Sequence, residues 1–346
     1  MLRISTVVGL IVLATVGFLL LRPHSTDIKT AINDTISNAT PTPEINNPLA
    51  IENLKKRSYP GSDLKIEETL DPGSNYKRYI ASYTSDGNKI YGLLTVPNDA
   101  SPTNKKPAII FNHGYIPPTE YVTTERYVAY QGDLAAAGYV TYKSDYRGNG
   151  KSEGDPENPY YSPNYVIDVL NALSSVKKLP YVNIDKIGMW GHSMGGNITF
   201  KALVTEPSEI KAAVIWSGVV GTYDDLINRW HPNRYTAQGA ANISEHQRSI
   251  RQNLIDKYGT PQSDSSFWKA IDPYTYISDI TAPIQINQGL ADEDVPPLFA
   301  EDFKNALQKN GKTVEYYTYE GADHNLSQPF GLVMQRTIAF FDKYLK

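Results

Sequence analysis

From Pro107 to Leu345 short apolar runs recur along the chain, each followed by a stretch with helical spacing, and this alternation restricts the fold more than any other feature. Runs that stay apolar over consecutive residues suit strands covered on both faces. The spacing predicts strands at 107–114, 139–148, 186–193, 211–218, 282–289 and 313–321, and helices at 124–137, 163–178, 194–205, 297–310 and 330–345. An α/β fold follows, a mostly parallel sheet with helices on both faces. Ahead of this series, "YKRYIASYTSDGNKIYGLLTVPND" alternates polar and apolar residues on either side of Asp86-Gly87, which predicts two antiparallel strands at 77–84 and 89–96. Residues 221–281 ("DDLINRWHPNRY", "SSFWKAIDPYTY") are polar, aromatic and too long for a simple connection; they read as a helical cap over the functional edge of the sheet.

The N-terminus departs from this pattern. Ile4 to Leu21 carries no charge, and as a helix rising about 1.5 Å per residue it would be about 27 Å long, close to a membrane's hydrocarbon thickness. The run passes directly into Arg22 and Pro23 without a small-residue cleavage site, so residues 1–23 are expected to be an uncleaved transmembrane signal anchor. Residues 24–57, rich in Ser, Thr, Asn and Pro, read as a flexible stalk, and residues 58–346 as the folded domain, expected outside the cytoplasm. A net charge of −4 and 20% charged residues describe an ordinary packed domain and give no basic footprint for nucleic acid. The chain has no cysteine, which excludes disulfides, a thiolate nucleophile and a thiolate metal site.

Gly-x-Ser-x-Gly occurs twice, around Ser193 in "KIGMWGHSMGGNITF" and around Ser152 in "GKSEG". A nucleophilic serine presented on a sharp turn needs a strand before it, a helix after it, and glycines where the two approach too closely for a Cβ. Ser193 has all of these; Ser152 has the glycines but lies between two polar loops, with neither the strand nor the helix. A serine hydroxyl also needs a neutral imidazole, held in the right tautomer by a carboxylate. His24 falls in the stalk, His113 in the loop after an early strand, His192 beside the serine but directed away from it, and His231 and His246 in the insertion. His324, in "YEGADHN" after the last strand, is expected at the same carboxyl edge as Ser193. The orienting acid comes from "GLADEDVP", where Asp292, Glu293 and Asp294 compete; these three lack the spacing of a cation loop.

Together "FNHGY", "DYRGNGKSEG", "GHSMGG", "GLADEDVP" and "GADHN" resemble the α/β-hydrolase superfamily, and most of all the catalytic domain of the prolyl oligopeptidase family of serine peptidases, over about residues 76–346. The resemblance implies an α/β-hydrolase fold with Asp292 as the acid, since Val295 and Pro296 complete the family's Gly-x-x-Asp-x-x-Val-Pro pattern. The oxyanion hole would then use the backbone N–H of Met194 and a donor at Tyr115, through its backbone N–H or, as in prolyl oligopeptidases, its phenol. Asp145 and Arg147 of "DYRG" read as a structural loop brace. The expected activity is hydrolysis of peptide or ester bonds through a Ser193, Asp292, His324 triad, without metal or organic cofactor. The β-propeller that filters substrates in full-length relatives has no counterpart here, so a carboxylesterase is the alternative, and a catalytically silent binding protein is a second.

Overall fold

Side chains along the central strands divide alternately between two apolar layers. In β4 (Lys106–Asn112) Ala108 and Ile110 join one cluster while Ile109 and Phe111 join the other, and Met189 and Trp190 do the same one strand over. The computed structural model describes residues 47–346 except 157, 159, 231–244 and 264–265. The segment read as an anchor and residues 24–46 of the stalk lie outside the described residues. Among the described residues no helix is long and apolar enough to cross a membrane.

In chain order the strands are β1 (Lys65–Leu70), β2 (Tyr76–Ser85), β3 (Asn88–Pro97), β4, β5 (Val140–Ser144), β6 (Val182–His192), β7 (Ala212–Trp216), β8 (Ile284–Gly289) and β9 (Val314–Tyr319). They form one sheet ordered β1-β2-β3-β5-β4-β6-β7-β8-β9. The ladders among β1, β2, β3 and β5 are antiparallel, and those from β5 through β9 are parallel. Helices α3 (Asn164–Lys177), α4 (Met194–Thr205) and α7 (Pro297–Lys309) cover one face, and α2 (Val128–Ala136) and α8 (Phe330–Leu345) the other. Successive connections leave β4 toward β5 on one side and reach β6 on the other, so a crevice opens at the carboxyl ends of β4 and β6, the usual ligand position in open α/β sheets.

Three expectations need correction. The edge strand β1 was not foreseen, because its residues are exposed or half-buried throughout and give no apolar alternation. The folded unit begins before the expected end of the stalk: α1 (Ile51–Lys55) inserts buried Ile51 and Leu54 into the core, an apolar pair too short to register as a helical period. The insertion 221–281 has a π-helix at Asp225–Arg229, α5 (Glu245–Tyr258) and α6 (Ser266–Ile271), but it is not simply a cap: Tyr223, Leu226 and Ile227 at its start already lie in the core, and its second half adds to them. Phe267, Trp268, Ile271 and Ile277 join the same apolar cluster as β4 and α4, so this part completes the domain core.

The tightest point in the fold is the passage from β6 into α4. A Cβ on Gly195 would stand 1.9 Å from the Asn112 carbonyl oxygen, and one on Gly191 2.4 Å from the Gly195 carbonyl. Both partners are backbone and cannot rotate away. Gly195→Ala is therefore expected to destabilise the domain by about 3 kcal/mol, the top of the range for overpacking, as read by denaturant unfolding. Wild-type stability in that variant would show that the helix can slide off β4.

Candidate active site

Ser193 sits between β6 and α4 with φ 54° and ψ −120°, a backbone conformation that side chains rarely adopt. Its N–H donates to the Trp216 carbonyl at 3.1 Å, and its own carbonyl accepts from Gly196 at 2.9 Å and Val219 at 3.0 Å. The turn is thus clamped by α4 and by the segment leaving β7. Its side chain is only partly buried.

Past the carboxyl ends of β8 and β9, two loops bring Asp292 and His324 together. His324 Nδ1 donates to Asp292 Oδ2 at 2.9 Å, which selects Asp292 from the three acids of "DED". Asp292 Oδ2 also accepts from Gln288 Nε2 at 3.0 Å, while Oδ1 accepts from the amides of Asp294 and Val295, each at 2.9 Å. Burial alone would raise this carboxyl, yet the bond and charge of His324 and the two amides hold it below the usual carboxylate range. Glu293 is exposed, and Asp294 contributes its backbone. No hydrogen bond joins Ser193 to His324 among the described residues; the His324 ring lies 4.7 Å from that of His192, the residue preceding the serine. Such contacts are often long before substrate binds.

The loop after β4 closes the other side. A Cβ on Gly114 would meet Ser193 Cβ at 3.1 Å, so the loop runs directly against the serine. Tyr115 is 43% exposed, and burial, reinforced by Glu120, raises its phenol, leaving the O–H available as a donor. Met194 is the first residue of α4, where N–H groups lack intrahelical acceptors. His113 is stacked between Tyr121 and Tyr146 at 4.9 and 4.3 Å. Burial, with the Lys143 charge, pushes its imidazole down to about 3, so it stays neutral and donates Nδ1–H to the Gly114 carbonyl at 2.7 Å.

The brace expected at "DYRG" is present and has two halves. Arg147 pairs with buried Asp168 of α3, Nη2 to Oδ1 at 2.6 Å. Asp145 accepts from Tyr121 Oη at 2.8 Å and Thr123 Oγ1 at 2.5 Å, while buried Lys143 donates to the carbonyls of Glu125 and Arg126 at 3.0 and 3.2 Å. These bonds pin residues 115–127, which explains why the helix expected from 124 begins only at Val128. Ser152 has a structural part, its Oγ accepting from the Tyr91 amide at 3.0 Å. Gln288, Lys143 and Tyr127 were not singled out from the sequence. Gln288 could have been, since a glutamine in the fully covered run "APIQINQG" must find partners. Among the described residues no group of three or more His, Asp or Glu side chains is placed to hold a metal ion.

A strained serine at a strand–helix turn and a carboxylate-bound histidine beyond the same carboxyl edge of a mostly parallel, doubly covered sheet agree with the family match in placing this chain among the α/β-hydrolases, as a serine hydrolase. Residues 103–328 match the family described as serine aminopeptidase, S33, and the chain belongs to that family. Its relatives include an uncharacterized peptidase of Bacillus subtilis strain 168, YtmA, 23% identical over 253 residues that cover 73% of this chain and 88% of that protein. Among solved structures, the acylaminoacyl peptidase of Pyrococcus horikoshii is similar with a TM-score of 0.61 at 20% identity, over 79% of this chain and 42% of that one. An acetyl xylan esterase from Paenibacillus sp. R4 is similar with a TM-score of 0.60 at 18% identity, over 85% of this chain and 92% of the other. The chain spans less than half the length of that peptidase and nearly all of that esterase.

The buried brace has a signature in pH. Burial pushes the Asp145 carboxyl up from 3.8 to about 6, against the opposing bonds from Thr123 and Tyr121 and the charge of Lys143. The folded state therefore holds this proton more tightly than the unfolded chain, and the contribution, full below 3.8, is lost as pH rises to about 6. Melting temperatures of wild type and Asp145→Asn, followed across that window, should show wild type losing stability relative to the variant, with a constant difference above it. A relative gain would reverse the assigned direction.

Proposed function

We propose that Ser193, His324 and Asp292 perform acyl transfer on a peptide or acyl-amide bond. The observation that carries the reading is the Asp292–His324 hydrogen bond of 2.9 Å on loops that reach the same sheet edge as the strained Ser193. With Nδ1–H committed to a carboxylate held ionised, His324 presents Nε2 as the proton acceptor. It takes the proton of Ser193 Oγ as the oxygen attacks the carbonyl. The oxyanion is received by the Met194 N–H at the positive end of α4 and by Tyr115. His324 then returns the proton to the leaving amine, and water releases the acyl group by the same steps in reverse order.

The B. subtilis peptidase, matched over 88% of its length, supports peptide hydrolysis by a chain of this size. A second reading is favoured by the acetyl xylan esterase, whose length this chain also nearly spans: hydrolysis of small esters.

A fluorophosphonate probe should label wild type and Ser152→Ala but not Ser193→Ala; the reverse pattern would move the nucleophile to the other motif. Matched peptide-amide and short-chain ester substrates decide between the two readings, with the higher kcat/KM on amides expected. Tyr115→Phe should lower kcat about 10²-fold if the phenol receives the oxyanion, measured on the better substrate. An unchanged kcat would assign that donor to the backbone of residue 115.

A further inference from the structure

A second line of hydrogen bonds runs beneath the site and joins its two halves. The Gly114 N–H donates to Tyr127 Oη at 3.0 Å; Tyr127 Oη lies 2.7 Å from His192 Nδ1; His192 Nε2 lies 3.0 Å from the carbonyl oxygen of His324. The ends dictate the direction of every bond between them. An amide N–H only donates and a carbonyl only accepts, so His192 must carry its proton on Nε2 and receive the Tyr127 O–H at Nδ1. The chain therefore runs from the loop that holds Tyr115 to the residue that carries the imidazole, through His192, which adjoins the serine.

The protein holds this chain at a conformational cost. Arg126 and Tyr127 both adopt positive φ, 47° and 55°, without being glycine. Two consecutive residues in that region persist only when their surroundings over-determine them. Here the Glu125 and Arg126 carbonyls are fixed by buried Lys143, and the Tyr127 ring packs edge-on against Phe111 and Trp190 at 5.8 and 6.3 Å. The strain turns the Tyr127 hydroxyl under Gly114. One turn on in α2, the Tyr130 ring lies 5.4 Å from that of Tyr127, and its hydroxyl donates to the Asn325 carbonyl at 3.2 Å, supporting the same histidine loop from outside this chain of hydrogen bonds.

We propose that Tyr127 and His192 are positioning residues of the reaction, tying the oxyanion side of the site to the base side so that Tyr115 and His324 keep their separation about Ser193. This rests on the reading of Ser193 and His324 given above. His192 acts through the backbone of its neighbours. Its Nε2 proton is committed to the His324 carbonyl, so it offers no acceptor to the serine.

Tyr127→Phe keeps the ring and its aromatic bed and removes one hydroxyl, as does Tyr130→Phe, which lies off the chain. His192→Gln retains an amide donor but no acceptor at the Nδ1 position. With kcat expressed per fluorophosphonate-titrated site, well below the melting temperature, Tyr127→Phe should lose about tenfold to hundredfold in kcat with KM within about twofold. Tyr130→Phe should lose clearly less. The double variant Tyr127→Phe/His192→Gln should be no slower than the slower single variant, because both cut one chain. Equal losses in Tyr127→Phe and Tyr130→Phe, additive losses in the double variant, or an unchanged kcat per site would overturn the proposal. If His192→Gln does not fold, the comparison of the two tyrosines decides alone. His324→Ala separates the two levels of argument. Should it keep the wild-type rate, the base assignment fails and the positioning role with it; should it be inactive while Tyr127→Phe is unimpaired, only the positioning role fails.

Discussion

A serine held at φ 54° and ψ −120° stores strain, of order 1–3 kcal/mol for such a residue, and it persists only if the chain on both sides is immobile. The architecture supplies that immobility. β6 is paired on one side by β4 and on the other by β7, and the Ser193 amide and carbonyl both hydrogen-bond to the chain around the end of β7. Neutral hydrogen bonds contribute about 1 kcal/mol each, so the bonds at this residue are of the size needed to offset the strain. The glycines at 191 and 195 then let the start of α4 pack backbone to backbone against the ends of β6 and β4. Everything else at the site is arranged around a point that cannot move.

How far the sequence discloses this depends on the range of the interaction. The helix at 330–345 begins and ends where the spacing places it, because an amphipathic run is a local property; that at 194–205, buried along its whole length, is marked instead by the glycine-flanked turn ahead of it. The placement of Ser193, Asp292 and His324 at one edge of the sheet was legible from the strands: each lies just past a recognisable one, and parallel pairing brings such positions together. The segment 115–127 was not. Its shape depends on Lys143 and Asp145, buried at the end of a different strand, and read alone it has the composition of a helix start. The burial of tyrosine is equally hidden. Tyr83, Tyr142 and Tyr146 are fully enclosed, and the Tyr83 hydroxyl donates to the Asp168 carbonyl at 2.8 Å. No periodicity encodes that partner.

The buried charges follow from the same demand for fixed loops. A protonated lysine taken out of water is costly unless its donors are used, and burial pushes Lys143 down to about 8, with Asp145 opposing. It is retained because it reaches two consecutive carbonyls in a strained loop, which an apolar side chain of equal size cannot do. Arg147 and Asp168 serve the neighbouring loop in the same way, with the planar guanidinium matching both carboxylate oxygens. Removing one partner of such a buried pair would leave the other charge uncompensated, so the two are kept together.

Two histidines with rings 4.7 Å apart thus end in opposite tautomers, and the difference lies wholly in their partners. His324 faces a carboxylate that receives four hydrogen bonds and stays ionised, so its proton is held on Nδ1. His192 faces a carbonyl at Nε2 and a hydroxyl at Nδ1, so its proton is held on Nε2 and the ring becomes a spacer. Position alone would favour His192, which is bonded to the serine's own residue. In the proposed reaction, the hydrogen-bond polarity of the surroundings gives the chemistry to the more distant ring and the task of holding it in place to the nearer one.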